Sequence, residues 1–211
     1  MPYCPRCGIK LPEEKGIRFC PNCGATIPHS IIKTRKIAWT GTLQQRIMVF
    51  LVVFLLCIAA TVTGALVKID PSDAENIIQE MRDIEKVTKI AGIQVIFGNN
   101  LMHTLMMFIP VFGPGWGFYV LFSTGRVFAA VSAITNINTL LTLLSLFTFP
   151  FTWMEYISYA IAISESLWIT YAIIKRNFRN ELTVIFTAIV LCTILLLLGA
   201  LIETALILSY A

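Results

Sequence analysis

Four of the six cysteines form two closely spaced pairs near the N-terminus. The segments Cys4-Pro5-Arg6-Cys7-Gly8 and Cys20-Pro21-Asn22-Cys23-Gly24 repeat one pattern, with two residues between the thiols of each pair. This spacing lets both sulfurs of a pair reach one metal ion, and two such pairs complete a tetrahedral four-sulfur site. A glycine follows each pair, where the turn commonly requires a positive φ. The pattern therefore predicts one structural Zn²⁺ held by Cys4, Cys7, Cys20 and Cys23.

Two disulfides or an iron site are the alternatives for the same four cysteines. Disulfides need an oxidising compartment, whereas the basic flank described below places this end of the chain in the cytoplasm. A segment of this length cannot build an apolar core and needs a metal or another cross-link. His29 lies five residues beyond the last cysteine and is interpreted as a linker residue. Residues 1–28 are therefore predicted to be a zinc ribbon with a closed, non-catalytic metal site.

Basic residues dominate the chain before its first apolar run. Residues 1–46 contain only Glu13 and Glu14 as acids, against the basic residues Arg6, Lys10, Lys15, Arg18, Lys33, Arg35, Lys36 and Arg46. Such a bias beside a first membrane helix marks the cytoplasmic side. It could also attract nucleic acid, but Tyr3 and Phe19 are the only aromatic residues of the ribbon, so a nucleic-acid partner is not expected. Residues 29–46 are predicted to be a basic linker.

The rest of the chain has the composition of a membrane protein. Hydrophobic residues make up 57% of the sequence and charged residues 13%, compared with about 45–50% and about 25% in soluble domains. A helix needs about 20 apolar residues to cross a bilayer. The first such run follows the ribbon and reads as a retained anchor, not a cleaved signal peptide. Five spans are predicted, at 47–67, 94–112, 116–137, 151–174 and 182–210.

Two segments of the predicted membrane domain, 47–211, are not assigned to spans. Residues 68–93 are predicted to form an external amphipathic helix, beginning at Asp70-Pro71, with Ile77, Met81, Ile84 and Thr88 at helical spacing. Residues 139–149 are interpreted as a re-entrant or interfacial piece. The basic loop 175–179 is expected in the cytoplasm, which places the C-terminus outside. The predicted fold class is an all-α polytopic membrane protein with a small N-terminal zinc ribbon.

Ionisable residues inside the spans are candidates for function because their burial in the bilayer is costly. Arg126 and Glu165 fall near the middle of adjacent predicted spans and could pair. Glu155 and Glu203 fall near the outer ends of theirs and could lie at similar height. These groups could be packing contacts between helices, or they could form a cation or proton path. Further polar candidates in the second span are Asn99, Asn100 and His103. Cys57 and Cys192 are interpreted as packing residues.

The sequence contains no catalytic signature. It lacks the H-E-x-x-H and G-x-S-x-G patterns and a phosphate-binding glycine loop. No enzymatic activity is therefore predicted.

Several short motifs in residues 94–205 resemble the stage II sporulation protein M family of integral membrane proteins. They are Phe97-Gly98-Asn99-Asn100-Leu101, Phe112-Gly113-Pro114-Gly115-Trp116-Gly117, Ser123-Thr124-Gly125, and Phe149-Pro150 followed by Glu155. The family usually has Asn-Gly at Thr124-Gly125 and Pro-His-Gly at Pro150-Phe151-Thr152, so Glu155 is the polar member that survives here. The resemblance implies a scaffold that holds partners in the membrane. The bacterial prototype holds cell-wall-remodelling partners during engulfment of the forespore, and that sporulation role is not carried over.

Two functions are left open by these patterns. The first is a non-enzymatic scaffold in the lipid bilayer whose cytoplasmic ribbon docks a protein partner, either alone or as a homo-oligomer. The second is a transporter or channel, because interrupted helices often line binding sites in transporters and Glu155, Glu165 and Glu203 outnumber Arg126.

Overall fold

A computed structural model describes residues 3–11, 19–26 and 41–209. The chain divides into two compact units, Met1–Ala38 and Trp39–Ala211. In the first unit, the described residues contain two isolated antiparallel bridges, Tyr3 with Lys10 and Phe19 with Thr26. The predictions for His29 and for most of the linker, residues 29–40, concern residues outside the described ranges.

The second unit is helical throughout its described elements. The helices are α1 (Leu43–Ala65), α2 (Pro71–Ala91), α3 (Ile93–Met107), α4 (Phe112–Thr135), α5 (Thr139–Leu146), α6 (Pro150–Ile174) and α7 (Phe178–Ser209). Four of them are long and apolar enough to cross a bilayer: α1, α4, α6 and the Glu181–Ser209 part of α7. The chain therefore has the elements of a multi-span membrane protein.

The five predicted spans are not confirmed, because the second one corresponds to a short helix. Helix α3 has 15 residues, or about 22 Å at the usual rise, which falls short of the roughly 30 Å hydrocarbon layer. Its helical hydrogen bonding ends at Phe108, and Pro110 and Val111 separate it from α4. Val111 has φ 67°, a conformation that β-branched residues rarely adopt. The break is held by α6, since Thr170 accepts a hydrogen bond from the Val111 amide.

The bounds of three other helices make the predicted segment boundaries more exact. Helix α1 begins at Leu43 with a capping box between Thr42 and Gln45, so Arg46 belongs to the helix and not to the linker. Residues 139–149 contain the eight-residue helix α5. The predicted amphipathic helix is present as α2, with Pro71 as its first residue.

Helix α6 lies at the centre of the bundle and contacts α1, α3, α4 and α7. Two of these neighbours, α1 and α4, are also packed on one another and cross with almost no space between their backbones. A Cβ added at Gly125 would lie 2.0 Å from the carbonyl oxygen of Thr61, and one at Gly64 would lie 2.0 Å from that of Phe122. Small residues at such crossings are typical of membrane helix pairs. This packing fixes the heights at which the polar side chains of α1, α6 and α7 meet.

Candidate functional site

The four N-terminal cysteines form one cluster in the first unit. Their Sγ atoms all lie within 4.8 Å of one another, with Cys4 and Cys23 at 3.6 Å and Cys7 and Cys20 at 3.7 Å. A tetrahedral site with metal–sulfur bonds of about 2.3 Å has sulfur–sulfur edges of roughly 3.8 Å. A disulfide requires about 2.05 Å, and all four thiols are free. The four sulfurs therefore fit one metal ion.

The two cysteine pairs lie in two backbone turns of the same kind, as the repeat in sequence indicates. Gly8 has φ 72° and Gly24 has φ 67°, which confirms that both glycines adopt the left-handed conformation. The amide of Gly8 bonds to the Cys4 carbonyl at 2.9 Å, and the amide of Gly24 bonds to the Cys20 carbonyl at 2.9 Å. The two turns thus bring both thiols of each pair to one side.

The backbone of these turns also favours thiolates, which are the metal-binding form of cysteine. The amide of Ile9 is the main cause that lowers the pKa of Cys7 to about 6, and the amide of Cys7 is the main cause that lowers the pKa of Cys4. The amide of Ala25 acts in the same direction on Cys23, but burial and the neighbouring thiols outweigh it and raise that pKa to about 12. A bound metal cation would lower that pKa, because coordination stabilises the thiolate form.

A buried charged cluster joins three helices in the second unit. Nη1 of Arg46 in α1 donates to both carboxylate oxygens of Glu165 in α6, at 3.0 and 2.9 Å. Nη2 of the same guanidinium donates to Glu181 in α7, whose side chain is only 1% exposed. The guanidinium carbon lies 5.1 Å from the ring centroid of Trp168. One guanidinium thus pairs with two carboxylates and ties the start of α1 to α6 and α7.

The partner of Glu165 is therefore Arg46, and the pairing with Arg126 suggested by span heights was wrong. Arg126 makes no ion pair or hydrogen bond with the residues that the structure describes. The sequence interpretation missed the cluster because it assigned Arg46 to the linker and placed Glu181 just outside the last span. The available signal was the position of Arg46 and Glu181, which each lie in the first turn of an apolar helix.

The remaining two acids meet at a second polar site. A cavity of about 610 Å³ lies among α2, α3, α4, α6 and α7 and includes both Glu155 and Glu203 in its lining. Glu155 and Glu165 are ten residues apart on α6, which separates them by about 15 Å along the helix. The structure thus places Glu155 and Glu203 in the lining of one cavity and keeps them apart from the Arg46 cluster.

Two asparagines from α3 complete the acidic side of this cavity. Nδ2 of Asn100 donates a hydrogen bond to Glu155 at 2.5 Å, and Nδ2 of Asn99 lies 3.4 Å from Oδ1 of Asn100. Thr88 and Arg82, both from α2, also line the cavity. The sequence interpretation named the four polar residues of α3, α6 and α7 but missed Arg82 and Thr88, because it treated α2 as a covering helix only.

His103 does not join either cluster. Its ring packs against Trp116 with centroids 5.8 Å apart, and its Nδ1 atom is buried without a hydrogen-bond partner in the described part of the chain. The two remaining cysteines, Cys57 and Cys192, are buried in the core, as expected for packing residues. Comparison of the chain with family models, curated proteins and solved structures finds no match.

Proposed function

We propose that this chain is a non-enzymatic membrane scaffold whose N-terminal zinc ribbon docks a cytoplasmic protein partner. The observation that carries the proposal is the exposure of two aromatic rings on the cysteine module. Tyr3 and Phe19 are each 59% exposed and precede the first cysteine of their respective turns. Exposed aromatic side chains are enriched at protein interfaces.

The metal site supports a docking role over a catalytic one. Its four sulfurs face one another and form a closed donor set, whereas catalytic zinc keeps a position open for water or substrate. Four thiolates in a tetrahedral arrangement suit Zn²⁺ or iron. Zinc is our choice because a closed four-cysteine set of this spacing is typical of structural zinc. The residues left to contact another molecule are then the exposed ones around the turns.

The membrane helices would anchor this module, with the basic segments on the cytoplasmic side. The resemblance to the stage II sporulation protein M family supports the same scaffold role. We do not extend it to sporulation.

Affinity purification from native membranes in mild detergent, followed by quantitative mass spectrometry, tests the proposal. A Tyr3→Ser/Phe19→Ser double variant should lose a stoichiometric partner that the unaltered chain retains, and it should keep its metal. A variant with serine at all four cysteine positions should lose the same partner. Arg6→Gln, an exposed change on the same module, is the matched control and should retain it. Partners that survive both the aromatic and the cysteine variants would refute docking by the ribbon.

Transport is the second candidate, and the cavity that contains Glu155 and Glu203 favours it. Ionisable residues inside membrane spans often mark ion or proton paths, and this cavity includes two of them in its lining. Flux of protons or monovalent cations into proteoliposomes should then fall with Glu155→Gln or Glu203→Gln at equal protein yield. Unchanged flux in both variants would exclude these carboxylates from a transport path.

A further inference from the structure

The cavity between α2 and the helix bundle holds more polar groups than packing requires. Two carboxylates, those of Glu155 and Glu203, and one guanidinium, that of Arg82, line it. Glu155 already accepts a hydrogen bond from Asn100, while Glu203 makes no hydrogen bond or ion pair within the described residues. The ionisable lining therefore contains two acids for one base.

Thr88 gives a second, independent indication of a ligand. Its side chain lines the same cavity, and the residue is only 7% exposed. Helical threonines of this protein usually donate to the carbonyl four residues earlier, as Thr104 and Thr187 do. Thr88 makes no such bond and has no hydrogen-bond partner among the described residues. Thr88 therefore brings to this wall a hydroxyl that no group in the described part of the chain occupies, and a molecule in the cavity can bond to it.

The shape and walls of the cavity narrow the chemistry of the ligand. Its volume of about 610 Å³ lies in the range of small-molecule sites and far exceeds the space that a bare metal ion needs. The other lining side chains are aliphatic, such as Ile78, Val95 and Ile207. They suit an alkyl chain attached to a cationic head.

Among cationic head groups, a primary ammonium best matches the polar side chains that line the cavity. Sites for quaternary ammonium use aromatic cages, and the lining contains no aromatic residue among those described. Carboxylates, an amide carbonyl and a hydroxyl oxygen all accept hydrogen bonds, and a primary ammonium offers three N–H donors, as the lysine side chain does.

We propose that the cavity lined by Glu155, Glu203, Asn100 and Thr88 binds a primary ammonium group carried on an apolar chain. The group could belong to a soluble alkylamine or to the ethanolamine headgroup of a phospholipid, which share this chemistry. The proposal concerns binding alone: it shares its carboxylates with the transport candidate, needs no flux, and is independent of the ribbon.

The test uses the full chain in phosphatidylcholine nanodiscs, with empty nanodiscs as the blank for partition into lipid. Isothermal titration with hexylamine should show saturable binding. Hexyltrimethylammonium, which lacks N–H donors, should bind at least tenfold more weakly, and hexanol should show no saturable binding. Because these three compounds are compared on the unaltered protein, the result does not depend on whether a variant folds.

Isosteric variants then assign the binding to the cavity. Glu155→Gln and Glu203→Gln should each weaken hexylamine binding at least tenfold, and Thr88→Val should weaken it about threefold. Glu80→Gln, an exposed change on α2 outside the lining, should bind within twofold of the unaltered chain. Melting curves without ligand check that each variant is folded.

Nanodiscs that contain phosphatidylethanolamine separate the two sources of the amine. Suppressed hexylamine binding, with retention of phosphatidylethanolamine over phosphatidylcholine in native mass spectrometry, would assign the site to the lipid headgroup. Undiminished hexylamine binding would assign it to a soluble amine. The proposal is overturned by equal affinity for hexylamine and hexyltrimethylammonium, by carboxylate variants that bind like Glu80→Gln, or by absence of both amine binding and lipid retention. Any of those results would overturn amine binding alone, because the docking of a partner by the ribbon and the flux of cations are measured separately.

Discussion

The cysteine module and the helical unit rely on different sources of stability. In the described part of the module, the buried residues are Cys4, Leu11 and Cys20, packed against Cys23 and Ala25. The helical unit buries a continuous apolar cluster that includes Met107, Leu121, Ile163 and Leu196. Below about 40 residues a segment usually needs a metal or disulfide to fold. One unit is thus expected to depend on an ion and the other on packing.

The helical unit also shows how burial changes the role of polar groups. Arg46 pairs with Glu165 and Glu181, while Thr61 and Tyr156 share a buried hydrogen bond at 2.7 Å. In the cysteine module the polar atoms of interest are the four sulfurs. As thiolates they would repel one another, and a bound cation would offset that repulsion. The comparison predicts that each unit can be disrupted without the other, by different changes.

The largest expected effect is removal of the metal from the cysteine module. A strong chelator, or serine at all four cysteine positions, should abolish the fold of that module, because structural Zn²⁺ contributes about 10 kcal/mol or more to small domains. Limited proteolysis should then cleave within residues 1–38, while the melting temperature of the helical unit stays unchanged. Persistent protease resistance after complete metal removal, measured by elemental analysis, would contradict this source of stability.

The next effect concerns the charged cluster of the helical unit. Arg46→Ala should lower the free energy of unfolding by about 3–5 kcal/mol, because it removes the cation that pairs with the buried carboxylate of Glu181 and the partly buried one of Glu165. Unfolding by sodium dodecyl sulfate in mixed micelles measures the change. Lys68→Ala, an exposed cation after α1, is the control and should change it by less than about 0.5 kcal/mol. Adding Glu165→Gln and Glu181→Gln to Arg46→Ala should recover part of the loss, and no recovery would argue against charge as the cause.

A smaller effect is expected at the crossing of α1 and α4. Gly125→Ala should destabilise the helical unit by about 1–3 kcal/mol, as overpacking does, because the new methyl would meet the Thr61 carbonyl oxygen at 2.0 Å. Gly115→Ala is the matched control in the same helix, since a Cβ there meets nothing within 4 Å. The same unfolding assay should show that this control is neutral or slightly stabilising. Equal effects of the two substitutions would mean that backbone proximity is not what limits the crossing.

The smallest effect is expected from the buried hydrogen bond between α1 and α6. Tyr156→Phe should cost about 1 kcal/mol, the usual net value of a neutral hydrogen bond. Thr61 keeps its second contact with the Cys57 carbonyl oxygen at 3.3 Å, so its hydroxyl is not left without a partner. A loss as large as that of Arg46→Ala would show that Tyr156 does more than bond to Thr61.

The sequence determined those features that depend on neighbouring residues. The Cys-x-x-Cys pairs with their glycines predict both turns and the four-sulfur cluster, because two intervening residues and a left-handed glycine set the geometry within each pair. The long apolar runs predict membrane helices, and the structure retains four of them. Local periodicity likewise predicts α2, and the pair Asp70-Pro71 predicts its start at Pro71.

Only the tertiary structure decided which polar residues meet. Arg46 and Glu165 are 119 positions apart, and their contact depends on where α1 crosses α4 and how α6 lies between α1 and α7. A shift of one helical turn is about 5.4 Å, enough to exchange one partner for another, so heights estimated from span boundaries favoured Arg126 incorrectly. The same packing places Thr88 of α2 in the lining of one cavity with Glu155 and Glu203. Spacing along a chain fixes contacts within a turn or a helix, whereas contacts between helices follow from the fit of whole surfaces.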